Sequence, residues 1–236
     1  SGNTDEATTD RNLILLPQPG HPVAASRGFI FSIAGSLPAT LLPRFSTLAV
    51  WLALQETLHP RKIDLVLERV AHVAEHMQLL APGHGVITVA GTNGKGSSVA
   101  MLESILSSGG YRVGRYSSPH LLRYNERIRI AGEEIDDDAL CAAFESVDRA
   151  RGDTSLSYIE FGTHAALSLF SQARQDNTLL EIGIGGRLDA VNILYHHEEL
   201  VTTIDKDHRA RLAEDREAIG RENDGKNRPR PPAVYS

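Results

Sequence analysis

The sequence contains one cysteine, Cys141, so no disulfide can close within the chain, and a reducing, cytoplasmic setting suits it. No stretch approaches the roughly 18 consecutive apolar residues of a spanning helix, so no membrane partner is expected. Positive charge is not in excess. The formal net charge is −6, which argues against a general nucleic-acid binder and leaves small molecules as partners. The hydrophobic share of 41% and charged share of 23% are those of a soluble globular protein.

Residues 1–43 lack a starting methionine, Ser1 to Asn12 are polar with no apolar period, and Pro17, Pro19, Pro22, Pro38 and Pro43 interrupt any long element. Residues 28–42 are apolar enough for a secretory h-region but lie too far from a basic N-terminus to read as one. We therefore expect 1–43 to be an extension outside the fold. Order begins near Phe45, with a helix capped by Ser46 in which Trp51 is a packing residue. Asp64 is placed to cap a second helix whose stripe is Leu65, Leu67, Val70, Val73, Ala74 and Met77. His72 and His76 stand four apart on that helix, but two histidines without a third ligand make a weak metal motif.

The chain is organised around residues 86–106. A β-rich run from Val86 to Ala90 leads into Gly91-Thr92-Asn93-Gly94-Lys95-Gly96-Ser97-Ser98. A helical pattern follows, with Val99, Leu102, Ile105 and Leu106 assigned to its inner face. Strand, glycine-rich turn and helix form a phosphate cradle: backbone N–H groups close on phosphate oxygens, the helix N-terminus adds partial charge, and Lys95 a full one. The spacing is a variant of G-x-x-x-x-G-K-[ST], because Val89 occupies the first glycine position and Gly96 separates Lys95 from Ser97.

A second strand over 111–116 completes a βαβ unit, with the ligand expected at the carboxyl ends of its strands. Ser117-Ser118-Pro119-His120 leaves that edge, and Arg127–Ile130 alternates as a further strand. Asp136 to Asp138 open a helix with Leu140, Ala143, Phe144 and Val147 inward, and another helix covers about 158–173. A third strand, 178–183, ends in Glu181 and a glycine-rich turn. A carboxylate at a buried strand tip is costly without a positive partner. Beside a phosphate cradle that partner is Mg²⁺, with an ion pair to Arg187 as the alternative. The fold class is α/β: a P-loop-containing, mostly parallel sheet flanked by helices, incomplete at its C-terminal end. Residues 44–228 form the domain and 229–236 a tail.

The loop Gly91–Ser97, Ser117-Ser118-Pro119-His120, Tyr124-Asn125-Glu126-Arg127-Ile128 and Glu181-Ile182-Gly183-Ile184-Gly185-Gly186-Arg187-Leu188-Asp189-Ala190 together resemble the folylpolyglutamate synthase and dihydrofolate synthase family of Mur-ligase-like, ATP-dependent amide ligases. The resemblance implies that a folate or dihydropteroate carboxylate takes the γ-phosphate of ATP and the amine of L-glutamate then displaces phosphate. It implies ATP and Mg²⁺ as cofactors and a monomeric, cytoplasmic parent enzyme. Lys95, Glu181 and His208 would be catalytic, and Gly91 to Ser98 would bind nucleotide. Ser118, Glu181 and His208 would hold Mg²⁺, and Ser117, Pro119, His120, Asn125, Glu126 and Arg127 would contact the pterin or folate.

The pattern departs from the family after Tyr195. Asp205 replaces a small turn residue, Ala213 a glycine, and Asn223 the lysine that is carbamylated in the family, which weakens a second metal site. The family's C-terminal domain is expected to be missing after Ser236. The alternative to a ligase is thus a truncated, catalytically dead remnant that at most binds nucleotide. A nucleotide kinase or GTPase reading fits less well, because the Ser118 and Glu181 motifs accompany the loop.

Overall fold

The computed structural model describes residues 47–59, 67–183, 189–194, 197–203 and 233–235. Seven strands form one mixed sheet: β1 (Gly85–Ala90), β2 (Val113–Tyr116), β3 (Ile128–Ile130), β4 (Glu133–Glu134), β5 (Asn177–Glu181), β6 (Glu198–Val201) and β7 (Ala233–Tyr235). Their order is β4-β3-β2-β5-β1-β6-β7. Strands β2, β5, β1, β6 and β7 run parallel, while β3 and β4 add an antiparallel edge beside β2. All five residues of β5 are buried, as a central strand covered on both faces requires.

Among the described residues, five α-helices cover the sheet: α1 (Leu48–Thr57), α2 (Leu67–His76), α3 (Lys95–Ser108), α4 (Asp137–Arg151) and α5 (Tyr158–Ala173). Alternation along the strands divides the core. Val89, Val113 and Leu179 face α3, where they meet Val99 and Leu106. Val86, Tyr116 and Leu180 face the other way, into a larger cluster with Trp51, Val70, Val73, Phe144 and Phe161. Trp51 is fully buried with ring centroids 6.1 Å from Phe144 and 6.4 Å from Phe161, the packing role expected of it.

Local signals explain most boundaries. Asp136 Oδ1 accepts from Ala139 N at 2.7 Å and caps α4, whose Leu140, Ala143, Phe144 and Val147 are all buried. Ser157 and Glu160 form a capping box at the head of α5: Ser157 N donates to Glu160 Oε2 at 2.7 Å and Glu160 N to Ser157 Oγ at 3.4 Å. The bounds of α5 are those the sequence predicts.

Several expectations are corrected. Thr47, not Ser46, precedes α1, and it makes no side-chain cap bond. Ile105 is 65% exposed, and Glu103 takes its place on the inner face of α3. At 3.6 residues per turn, position 103 lies about 40° from Val99 and position 105 about 120° away. The buried arc is thus Val99, Leu102, Glu103 and Leu106. An apolar-only count misses a paired carboxylate. The two strands of the βαβ unit are separated in the sheet by β5, which inserts between β1 and β2. Ala233–Tyr235, inside the stretch set aside as a tail, pairs in parallel with β6. The extension 1–43, the Asp64 cap and Leu65 lie outside the described residues.

Candidate functional site

Because the central strands are parallel, β1, β2, β5 and β6 all end on one edge of the sheet. From β1 the chain turns through Gly91 to Gly94 into α3. Gly94 is the N-cap of α3 with φ 81°, and Gly91 has φ 131°. Both conformations suit glycine because a Cβ is strained there. By helix geometry the N–H groups of Lys95, Gly96 and Ser97 have no acceptor inside α3. They open at the end of the helix beside exposed Gly94, Gly96 and Ser97. Lys95 Nζ donates to the carbonyls of Gly91 at 3.0 Å and Thr92 at 3.3 Å, so its charge lies over the same turn. This is the geometry of a phosphate-binding loop.

The end of β6 braces this loop. Thr202 Oγ1 donates toward Ala90 O at 3.0 Å and Asn93 O at 2.7 Å, and Thr92 N donates to Thr203 O at 2.9 Å. A Cβ on Gly91 would run into Thr202 Oγ1, so the close approach needs glycine at 91. Sequence reasoning missed Thr202. The available signal was a pair of small hydroxyl residues where a strand ends.

Glu181 closes β5 at the same edge. Its residue is 6% exposed, and its carboxylate Oε2 accepts from Ser118 N at 3.3 Å. A Cβ built on Gly96 would sit 3.8 Å from that oxygen, which places the carboxylate against the phosphate loop. Burial raises the Glu181 carboxyl above the ordinary range, while the Ser118 N–H and the charges of Lys95 and Arg115 oppose the rise. Asp189 pushes it further up. Asp189 itself is structural: its Oδ2 accepts from Gly183 N at 2.9 Å and its Oδ1 from Val191 N at 3.1 Å. Ser118 Oγ lies 2.9 Å from where a Cβ on Gly183 would be, so the Ser118 hydroxyl and the Glu181 carboxylate sit on neighbouring strand ends. Two hard oxygen donors beside a phosphate loop are the donor set that Mg²⁺ takes. The predicted third ligand, His208, lies outside the described residues, as do Arg187, Asp205, Ala213 and Asn223. Among the described residues no three His, Cys, Asp or Glu side chains are grouped to hold a metal.

The loop from β2 to β3 carries the residues expected to contact a pterin. Ser117 N donates to Arg127 O at 2.9 Å, which ties its two ends together, and the Ser118–Pro119 bond is cis. Within it, Asn125 bonds to the segment that leads into α4, while Glu126 and Arg127 bond inside the loop. Asn125 Nδ2 donates to Ile135 O at 2.9 Å and Asp137 Oδ1 at 2.8 Å. Glu126 accepts from the N–H groups of Leu121, Leu122 and Arg123 at 2.7, 2.8 and 2.7 Å. These bonds, that from Leu121 first, hold its carboxyl below the usual carboxylate range. Arg127 is buried, lies 5.3 Å from the Tyr124 ring centroid and 5.7 Å from that of Tyr158, and donates through Nε to His120 Nδ1 at 2.8 Å. Asn125 and Arg127 are buried and Glu126 is bound to the turn before it, so all three build the loop, whereas Ser117, Pro119 and His120 keep accessible surface beside the strand edge.

No family model matches the chain. Against curated proteins, it is 52% identical over 189 residues to the dihydrofolate synthase/folylpolyglutamate synthase of Escherichia coli (strain K12). That match takes in 80% of this chain and 45% of the relative. Over that stretch the chain is a homologue of the dihydrofolate synthase/folylpolyglutamate synthases. It spans about half the length of the curated relatives it matches. The family's fold recurs in E. coli FolC in complex with DHPP and ADP, with a TM-score of 0.74 at 52% identity over 80% of this chain and 46% of that one. A bifunctional folylpolyglutamate synthase/dihydrofolate synthase with Mn, AMPPNP and L-glutamate bound gives 0.71 at 51% identity, over 80% and 46% of the two chains. The family resemblance of the four motifs and the α/β sheet flanked by helices are both borne out.

Proposed function

We propose that the chain is the nucleotide-binding part of an ATP-dependent ligase that adds L-glutamate to the carboxylate of a folate or dihydropteroate. The observation that carries this reading is the placement of the Glu181 carboxylate against Gly96, with Ser118 on the neighbouring strand end. A phosphate loop alone serves many reactions. A loop with a hard-oxygen pair beside it suits a transferred phosphoryl group and its counter-ion. The relatives bound to ADP, and to Mn with AMPPNP and L-glutamate, support the same assignment.

In this reading the turn from Gly91 to Ser98 holds the nucleotide phosphates, and the Lys95 ammonium leaves its loop carbonyls to meet the β- and γ-phosphates. Ser118 and Glu181 would hold Mg²⁺, with His208 as the third ligand that the family resemblance implies. When bound, the ion neutralises charge on the phosphates. A carboxylate oxygen of the folate substrate attacks the γ-phosphorus, the bond to ADP breaks, and an acyl phosphate forms. The L-glutamate amine then attacks the acyl carbon, loses a proton, and phosphate leaves. Little covalent chemistry falls to the protein, whose part is positioning and charge compensation.

Ser117, Pro119 and His120 face the pterin, and Asn125, Glu126 and Arg127 keep that surface in shape. Residues 44–228, with the edge strand β7, form the ATP-binding domain. We place it in the cytoplasm as a monomer. Calorimetric titration of the 236-residue chain with Mg·ATP tests the proposal. Saturable binding that Lys95→Ala abolishes is the expected result. Absent binding, or binding indifferent to Lys95, would contradict it.

A further inference from the structure

Arg115 enters the layer between the sheet and α3. It pairs in register with Leu179 of β5, and Glu181 lies two residues further along that strand, on the same face. Leu179 packs with Val99 and Leu106 of α3, which fixes which face this is. Arg115 and Glu181 are therefore diagonal neighbours on adjacent strands, a separation long side chains can span.

The Arg115 guanidinium nevertheless turns to α3. Its Nη1 donates to Glu103 Oε2 at 2.8 Å, with the two side chains 16% and 10% exposed. Arg129 on β3 approaches the other oxygen, its Nε 3.6 Å from Glu103 Oε1. Glu103 thus faces two arginines, while Glu181, the carboxylate nearer the phosphate loop, is met by the Ser118 N–H. The Arg115 charge is close enough to act on Glu181 without touching it. A partly buried arginine between two carboxylates pairs with whichever geometry favours, and its choice decides which carboxylate keeps its charge uncompensated.

We propose that Glu103 is a positioning residue: by holding the Arg115 guanidinium on α3, it keeps the Glu181 carboxylate free for a divalent cation. The proposal rests on the function assigned above. Without Glu103, Arg115 swings the short distance along the sheet face, pairs with Glu181, and competes with the metal. An ion pair serving only to glue α3 to β2 would change melting temperature and leave metal affinity alone.

Mn²⁺ binding to the full chain, followed by the electron paramagnetic resonance of the free ion, separates the two. Thermal melting establishes that each variant is folded. Glu103→Gln is expected to weaken Mn²⁺ binding by about 10–100-fold, the range for residues behind a metal ligand. The double variant Glu103→Gln/Arg115→Gln is expected to return it to near the wild-type value, because the competitor is gone. Arg115→Gln alone is expected to bind at least as tightly as wild type, and it carries the test if the Glu103 single variant does not fold. Wild-type affinity in a folded Glu103→Gln, a double variant as weak as the single, or a weakened Arg115→Gln would each overturn the proposal. Glu181→Gln is the control for the underlying reading. If it leaves Mn²⁺ binding intact, the ligand assignment falls, and this inference with it.

Discussion

Replacing Gly91 with alanine tests the brace between the phosphate loop and β6. Gly91 has φ 131°, and a Cβ there would run into Thr202 Oγ1 and lie 3.1 Å from Thr202 Cβ and 3.2 Å from its backbone carbon. The obstacle includes backbone, so it cannot rotate away. Overpacking costs on the order of 1–3 kcal/mol, and holding a side chain in that backbone region adds a similar amount. The Thr202 hydroxyl, displaced from Ala90 O and Asn93 O, loses on the order of 1 kcal/mol more. We therefore expect Gly91→Ala to lose about 3–7 kcal/mol in urea unfolding, summed from these terms, a large share of a marginal stability. Thr202→Ala by itself should cost only the hydroxyl. Added to Gly91→Ala, it should recover part of the steric loss, a coupling that a double-mutant cycle reads directly. A Gly91→Ala variant within about 0.5 kcal/mol of wild type, the usual scatter for uncoupled surface changes, would refute the brace.

Other perturbations follow from the same geometry. Glu126, with its carboxyl acidity strengthened by three loop N–H groups, holds the turn at Leu121 to Arg123 only while ionised. A depressed folded pKa gives order that is present above the ordinary carboxylate range and lost as pH falls through the folded value. Amide exchange at Leu121–Arg123 should accelerate on acidification, and Glu126→Gln should remove that dependence. His164, fully buried on α5, has Nδ1 2.7 Å from Glu160 O and Nε2 2.8 Å from Val70 O, so it ties α5 to α2. His164→Phe should cost on the order of 1 kcal/mol in thermal unfolding, from the lost hydrogen bond between the two helices. Glu181, raised by burial, opposes folding once it is charged at neutral pH. The metal-free Glu181→Gln variant should melt no lower than wild type while losing divalent-cation binding.

Much of the fold was legible because pattern and capping agree. The capping box at Ser157 and Glu160 fixed α5, and Asp136 with its apolar stripe fixed α4. The misses share one cause, which is that tertiary context decides what a single stretch cannot. Glu103 reads as a surface residue until Arg115 arrives from β2 to pair with it. The insertion of β5 between β1 and β2 pairs strands more than 60 residues apart in sequence and leaves no local trace. At the site, motif resemblance singled out the loop, Ser118 and Glu181, which the structure brings to one sheet edge. It did not distinguish residues at that edge from those, such as Asn125 and Glu126, whose polar groups are taken up by neighbouring backbone. Thr202 escaped notice because its role is a contact across 109 residues.

The central claim is that the turn from Gly91 to Ser98, with Ser118 and Glu181 beside it, takes the phosphates of a nucleotide and their metal. Backbone amide shifts of the ¹⁵N-labelled chain, recorded on addition of AMPPNP with Mg²⁺, test it residue by residue. The account predicts the largest shifts at Gly94, Lys95, Gly96 and Ser97, with smaller ones at Ser118 and Glu181 that require Mg²⁺. Shifts centred elsewhere, or none at the head of α3, would contradict it.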